Sequence, residues 1–123
     1  MDWAIRSGRA WHSRVGMLVH DQMGLMVSYR GALIFDEQMA YPPPDGESPC
    51  ASCADQPCLS ACPVGALSEA GYDTDRCSAH LRKDEGADCL NGCLVRRVCP
   101  YSAGAKREEP QSRLHMQAFL RNR

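Results

Sequence analysis

The sequence predicts an α+β fold in which short helices surround two groups of cysteines and a β-hairpin precedes them. Eight cysteines are confined to residues 50–99 of a chain of 123 residues. Two β-rich apolar runs lie before them, and helix-capping residues lie among and after them. Phe and Trp number only two each, so the apolar core is thin. Small domains of this kind usually depend on metals, disulfides or partners for stability.

The N-terminal part of the chain is predicted to form an arm and a β-hairpin. Residues 1–13 indicate a short helix or an arm. The runs 14–20 and 25–35 are rich in residues that favour strands. Between them, 21–24 ends in a glycine that can supply the positive φ of a turn. We therefore expect the two runs to pair with each other.

A proline-rich segment, 42–49, predicts the boundary between two units. Its three successive prolines favour a stiff, extended backbone. The predicted units are residues 1–45, with the arm and the hairpin, and residues 46–123, with all the cysteines and a C-terminal helix.

Three helices are predicted in the second unit. Asp73 can cap a helix that ends at Leu81. A second helix over 87–98 would carry Cys89 and Cys93 on one face, because residues four apart share a face. The third begins at Pro110, since proline is tolerated in the first helical turn. Its apolar stripe is predicted at Leu114, Ala118 and Phe119.

The cysteines form two runs, and each run closes with a Cys-Pro pair. The runs are Cys50-x2-Cys53-x4-Cys58-x3-Cys62-Pro63 and Cys77-x11-Cys89-x3-Cys93-x5-Cys99-Pro100. A four-iron cluster takes four thiolates, and a cysteine that closes a run as Cys-Pro ligates the other cluster in two-cluster ferredoxins. The pattern therefore predicts two interlocked [4Fe–4S] clusters. The first is assigned to Cys50, Cys53, Cys58 and Cys99, and the second to Cys62, Cys77, Cys89 and Cys93.

The spacing leaves alternatives open. The gaps are longer than the bacterial x2, x2, x3 pattern, which leaves the allocation of Cys77 open. Structural zinc sites accept Cys-x2-Cys and Cys-x4-Cys spacings, although they do not explain two Cys-Pro closures. A disulfide framework is disfavoured because no export signal is recognisable, so we expect a cytoplasmic protein with reduced cysteines.

Charge and motifs exclude other function classes. The net charge is −1, from 14 basic and 15 acidic residues that are scattered along the chain. We therefore expect no nucleic-acid partner, which would need a basic stripe. No stretch approaches the roughly 20 apolar residues of a membrane span. Without a phosphate loop or a nucleophile–base pair, we expect an electron-transfer protein and not an enzyme. His80 and the pair Arg96-Arg97 are candidate hydrogen-bond donors to a cluster.

Particular stretches resemble known iron–sulfur proteins. Cys50-Ala-Ser-Cys53 and Pro57-Cys58-Leu-Ser-Ala-Cys62-Pro-Val-Gly-Ala-Leu67 resemble the first half of a bacterial dicluster ferredoxin domain. Cys77-Ser-Ala-His-Leu81, Gly92-Cys93 and Val98-Cys99-Pro100 are similar to the ferredoxin module at the C-terminal side of epoxyqueuosine reductase, a cobalamin-dependent enzyme. The runs 14–20 and 24–35 are similar to the segment that leads into that module.

The resemblance spans about residues 14–101 and does not include the cobalamin-binding region, so corrinoid chemistry is not implied. It implies a ferredoxin-like two-cluster domain, the cluster allocation given above, and one-electron transfer to or from a redox protein partner. One alternative is the electron-delivering subunit of a larger reductase. A structural zinc protein or a metal sensor is a less favoured alternative.

Overall fold

The computed structural model describes residues 2–40 and 46–123 and has the predicted α+β composition. Its two small sheets are both antiparallel pairs. The strands are β1 (Ala10–His12), β2 (Leu18–His20), β3 (Leu67–Ser68) and β4 (Gly71–Tyr72). The helices are α1 (Asp2–Arg6), α2 (Pro49–Ser52), α3 (Thr74–Leu81), α4 (Ala87–Leu90), α5 (Leu94–Val98) and α6 (Glu109–Arg121). Short 3₁₀ turns cover Pro57–Leu59, Asp84–Gly86 and Pro100–Ala105.

A β-hairpin precedes the cysteines, but the predicted pairing of its strands is wrong. β2, which lies in the predicted first run, pairs with β1 upstream and not with the run 25–35. The turn between the strands is closed by Ser13, whose hydroxyl accepts hydrogen bonds from the backbone N–H groups of Val15 and Met17. The hairpin therefore covers residues 10–20.

Long-range packing explains why the run 25–35 does not pair with β2. A turn does follow β2, with mutual backbone hydrogen bonds between His20 and Gly24. At Gly24, however, an added Cβ would collide with the backbone nitrogen of Ser102. The next backbone N–H, of Leu25, donates to the Ser102 hydroxyl at 3.2 Å. The chain is thus held against the C-terminal part of the protein, and residues 27–35 form no strand.

The helix predictions have different outcomes. α3 begins after Asp73 as predicted, and the Asp73 carboxylate accepts a hydrogen bond from the backbone N–H of Arg76 at 2.9 Å. The helix predicted over 87–98 is wrong, because the chain breaks between α4 and α5. Gly92 has φ +142° there, a conformation that residues with a Cβ rarely adopt. α6 has Pro110 in its first turn as predicted. Its inward face, however, is formed by Ser112, Met116 and Phe119, while Leu114 is 60% exposed.

One apolar cluster joins the hairpin to the cysteine segment. Its buried members are Val15, Val19, Leu25, Cys58, Leu67 and Val95. Cys50, Cys62, Cys93 and Cys99 are partly buried and pack against it. Cysteines of both runs therefore lie next to the core. The predicted unit boundary and prolines 42–44 fall at residues 41–45, outside the described ranges. None of the helices among the described residues is long and apolar enough to span a membrane.

Candidate cysteine sites

All eight cysteines are free thiols, and they line two separate cavities. The first cavity is lined by Cys50, Cys53, Cys58 and Cys99. The second is lined by Cys62, Cys77, Cys89 and Cys93. These are the two sets into which the sequence divides the cysteines, and Cys77 lies with the second set.

Local structure directs the cysteines of the first set toward one space. Cys50 lies in the first turn of α2, where Ser48 acts as N-cap and accepts a hydrogen bond from the Cys50 N–H at 3.3 Å. Gln56 adopts a left-handed conformation with φ +41°. This residue bends the longer second gap so that Cys58 enters a 3₁₀ turn and is buried. Cys99 comes from the second run, in the extended backbone that precedes a proline.

The second set draws on four different elements. Cys77 lies in α3 and Cys89 in α4. Cys93 lies at the N-terminus of α5, after the bend at Gly92. Cys62 comes from the first run, four residues after Cys58, and is followed by Pro63. Each cavity therefore receives one cysteine from the other run, and in both cases that cysteine belongs to a Cys-Pro pair.

Hydrogen-bond donors point at the sulfur atoms of the second set. The backbone N–H of Ala66 donates to Cys62 Sγ at 3.2 Å, and the Tyr72 hydroxyl donates to Cys77 Sγ at 3.2 Å. Burial and the neighbouring Cys77 thiol raise the pKa of Tyr72, which keeps its hydroxyl protonated as a donor. The sequence does not predict this role of Tyr72, because strands of two residues are too short to show an alternating apolar pattern.

His80 also lines the second cavity, and its Nε2 atom is buried without a hydrogen-bond partner among the described residues. A buried polar atom of this kind usually has a partner in the native protein. His80 thus lies near Cys77, as the sequence predicts, and its role as a donor to a cluster stays a prediction. Of the two candidate arginines, Arg97 is engaged elsewhere, in an ion pair with Asp88 at 2.7 Å. Arg96 lies beside Cys93 at the wall of a different cavity.

The thiols of each set influence one another electrostatically. Burial raises the pKa of Cys58, and the nearby Cys50 and Cys99 raise it further. Burial likewise raises the pKa of Cys77 and of Cys89, and the nearby Cys93 and Cys62 raise both pKa values further. Several thiolates in one buried space repel each other, so a cationic metal centre is the natural counterion for their ionised form.

Each set offers four cysteines, which is the ligand composition of both iron–sulfur clusters and structural zinc sites. In the described ranges, 2–40 and 46–123, no three His, Cys, Asp or Glu side chains are grouped so that they could hold one metal ion, so the likeness is one of composition. Comparisons of the chain with protein-family models, curated proteins and solved structures gave no match.

Proposed function

We propose that this protein transfers electrons through two [4Fe–4S] clusters, to or from a redox protein partner. The observation that carries the proposal is the pair of cavities, each lined by four thiols that come from both cysteine runs. The first cluster would be held by Cys50, Cys53, Cys58 and Cys99, and the second by Cys62, Cys77, Cys89 and Cys93. We propose a carrier of electrons and not an enzyme.

The surroundings of the thiols support an iron–sulfur centre. Hydrogen bonds to the sulfur atoms and low solvent exposure are the means by which proteins set cluster potentials. Ala66 and Tyr72 already donate to cysteine sulfurs. The unpartnered Nε2 of His80 would find an acceptor in a cluster sulfide or in a ligating thiolate. A bound cluster would supply one-electron redox chemistry, while these side chains hold it and tune it.

The arrangement also favours electron transfer between the two sites. Cys58 and Cys62 belong to different sets and are four residues apart, so their Cα atoms are at most about 14 Å from each other. Val19 and Leu25 line the first cavity, and Leu67 and Val95 line the second. These apolar side chains exclude water from the thiols. Eight free thiols suit a reducing compartment, which supports a cytoplasmic location.

The similarity to the ferredoxin module of epoxyqueuosine reductase supports the same role, since that module is a two-cluster domain. A second candidate function, the electron-delivering subunit of a larger reductase, is favoured by an exposed apolar surface. Leu33 and Ile34 are 84% and 83% exposed, and Trp3 beside them is 65% exposed. Contiguous apolar surface of this kind often marks a protein interface.

Metal analysis of anaerobically purified protein tests the proposal. We expect about eight irons and eight sulfides per chain, and an EPR signal after reduction. Cys58→Ser and Cys77→Ser should each lose about half of the iron, while Ser60→Ala, a matched surface control between two ligands, should lose none. Zinc without sulfide would contradict the proposal and favour a structural zinc protein. For the second candidate function, a monomer that captures no partner would count against it.

A further inference from the structure

A third cavity, of about 170 Å³, lies between α5 and α6 and shares a wall with the second thiol cavity. Cys93, Leu67 and Met116 line both cavities. Arg96, Arg107 and His115 also line it. The sequence gives no hint of this cavity, because these residues come from separate segments.

The two arginines of this cavity form no ion pair within the described ranges. Among the described residues, no carboxylate lies within ion-pair distance of Arg96 or Arg107, unlike the neighbouring Arg97, which pairs with Asp88. Arg107 donates to the backbone carbonyl of Met26 at 3.3 Å. Burial lowers the pKa of His115, and the nearby Arg107, Arg30 and Arg96 lower it further. An anion would be attracted to the two arginines that line the cavity.

The cavity also has an apolar lining. Met17, Met26, Met116 and Phe119 contribute to it. Methionine side chains adapt to irregular apolar ligands, and an engineered apolar cavity of about 150 Å³ admits benzene. The cavity therefore combines room for a small apolar group with two arginines that suit an acidic head group. Arginine binds carboxylate and phosphate oxygens through two parallel N–H groups.

We propose that this cavity binds a small organic anion, with its carboxylate or phosphate against Arg96 and Arg107 and its apolar part against the methionines and Phe119. The bound molecule would lie beside Cys93, next to the second thiol set. This binding site goes beyond electron transfer, because a plain electron carrier needs no cavity for a small molecule. It also does not depend on which metal the thiols hold.

Calorimetric titration of the purified full-length protein tests the proposal with three probes of similar size: benzoate, phenyl phosphate and phenol. We expect one molecule of at least one anion to bind, and phenol to bind at least about tenfold more weakly, because it lacks the charged head group. The two anions distinguish a carboxylate site from a phosphate site. Absence of binding of both anions up to about 10 mM, or equal binding of phenol, would overturn the proposal.

Two neighbouring arginines provide a matched pair of variants. Arg96→Gln should weaken anion binding by about tenfold or more, while Arg97→Gln, which removes a surface ion pair outside the cavity, should leave the affinity within about twofold. Arg96→Lys keeps the charge and should restore part of the affinity. Equal losses of anion affinity in Arg96→Gln and Arg97→Gln would overturn the proposed binding site. Iron and sulfide analysis of the same samples keeps this result separate from the electron-transfer proposal, since a zinc-bearing protein that binds benzoate would support only the anion site.

Discussion

At the scale of single residues, the cysteine partition is the feature that the sequence predicts best. The two Cys-Pro pairs identify the cysteines that join the set formed mainly by the other run. In the structure, Cys62 and Cys99 lie in the sets expected for them. The residues around the sulfurs are less predictable. His80 stands one helical turn after Cys77, so its position follows from helix geometry. Tyr72 reaches Cys77 only because of the short β3–β4 hairpin, for which the sequence offers no pattern.

The Tyr72 hydroxyl is predicted to tune the second cluster. Because it donates to Cys77 Sγ, it should stabilise the more negatively charged, reduced state. In Tyr72→Phe we expect full iron content and a reduction potential roughly 20 to 60 mV more negative for one of the two clusters. Protein-film voltammetry measures both potentials.

Tyr101→Phe is the control for this change. Tyr101 lines the first cavity, but its hydroxyl bonds to the Ser52 hydroxyl at 2.9 Å and not to a sulfur. Its removal should leave both potentials unchanged. Identical potentials in Tyr72→Phe and in the unmodified protein would show that the hydroxyl has no influence on a cluster.

At the scale of elements, capped helices are predictable and backbone breaks are not. Asp73 identifies the start of α3, because its carboxylate can satisfy a free N–H of the first turn. The helical pattern over 87–98 is misleading, since Gly92 separates α4 from α5 at a φ of +142°. The strand that pairs with β2 is also unpredictable, because it depends on the packing of Gly24 against Ser102. These two residues are 78 positions apart in the chain.

The break at Gly92 is predicted to position Cys93. A Cβ added at Gly92 would lie 3.0 Å from the Cβ of Ser112, and the backbone conformation of Gly92 disfavours any side chain. Gly92→Ala should therefore lower the free energy of unfolding by about 1 to 3 kcal/mol and reduce the iron content of the second cluster. Thermal unfolding and iron analysis of the same sample measure the two effects.

Gly31→Ala serves as the comparison for Gly92→Ala. Gly31 has no heavy atom within 4 Å of an added Cβ, and its φ is not positive. This variant should keep its iron and unfold within about 0.5 kcal/mol of the unmodified protein. Equal behaviour of the two glycine variants would contradict a special role for the bend before Cys93.

At the scale of the whole molecule, the thiol sets and the apolar core form one unit. Among the described residues, the large side chains with almost no exposure are Leu25, Leu81, Val15, Val19 and Val95. A core of this size provides little stability for 123 residues. The amino-acid composition alone predicts that the apolar core is small and provides little stability. It does not predict that the hairpin packs directly on the cysteine segment, because that contact depends on tertiary structure.

Removal of the clusters is therefore predicted to unfold most of the chain. Cluster binding contributes folding free energy when the core is small, since the binding site exists only in the folded state. We expect anaerobic treatment with an iron chelator to abolish most of the helical circular dichroism signal, and reconstitution with iron and sulfide to restore it. A full helical signal in the iron-free protein would contradict this dependence.

Iron analysis of two double variants tests the interlocked arrangement of two clusters most directly. Cys50→Ser combined with Cys99→Ser removes two ligands of one proposed cluster, so this protein should keep about four irons and four sulfides. Cys89→Ser combined with Cys99→Ser removes a ligand from each, so almost no iron should remain. The reverse order of iron contents, or zinc in place of iron and sulfide, would contradict two [4Fe–4S] clusters that share ligands between the two cysteine runs.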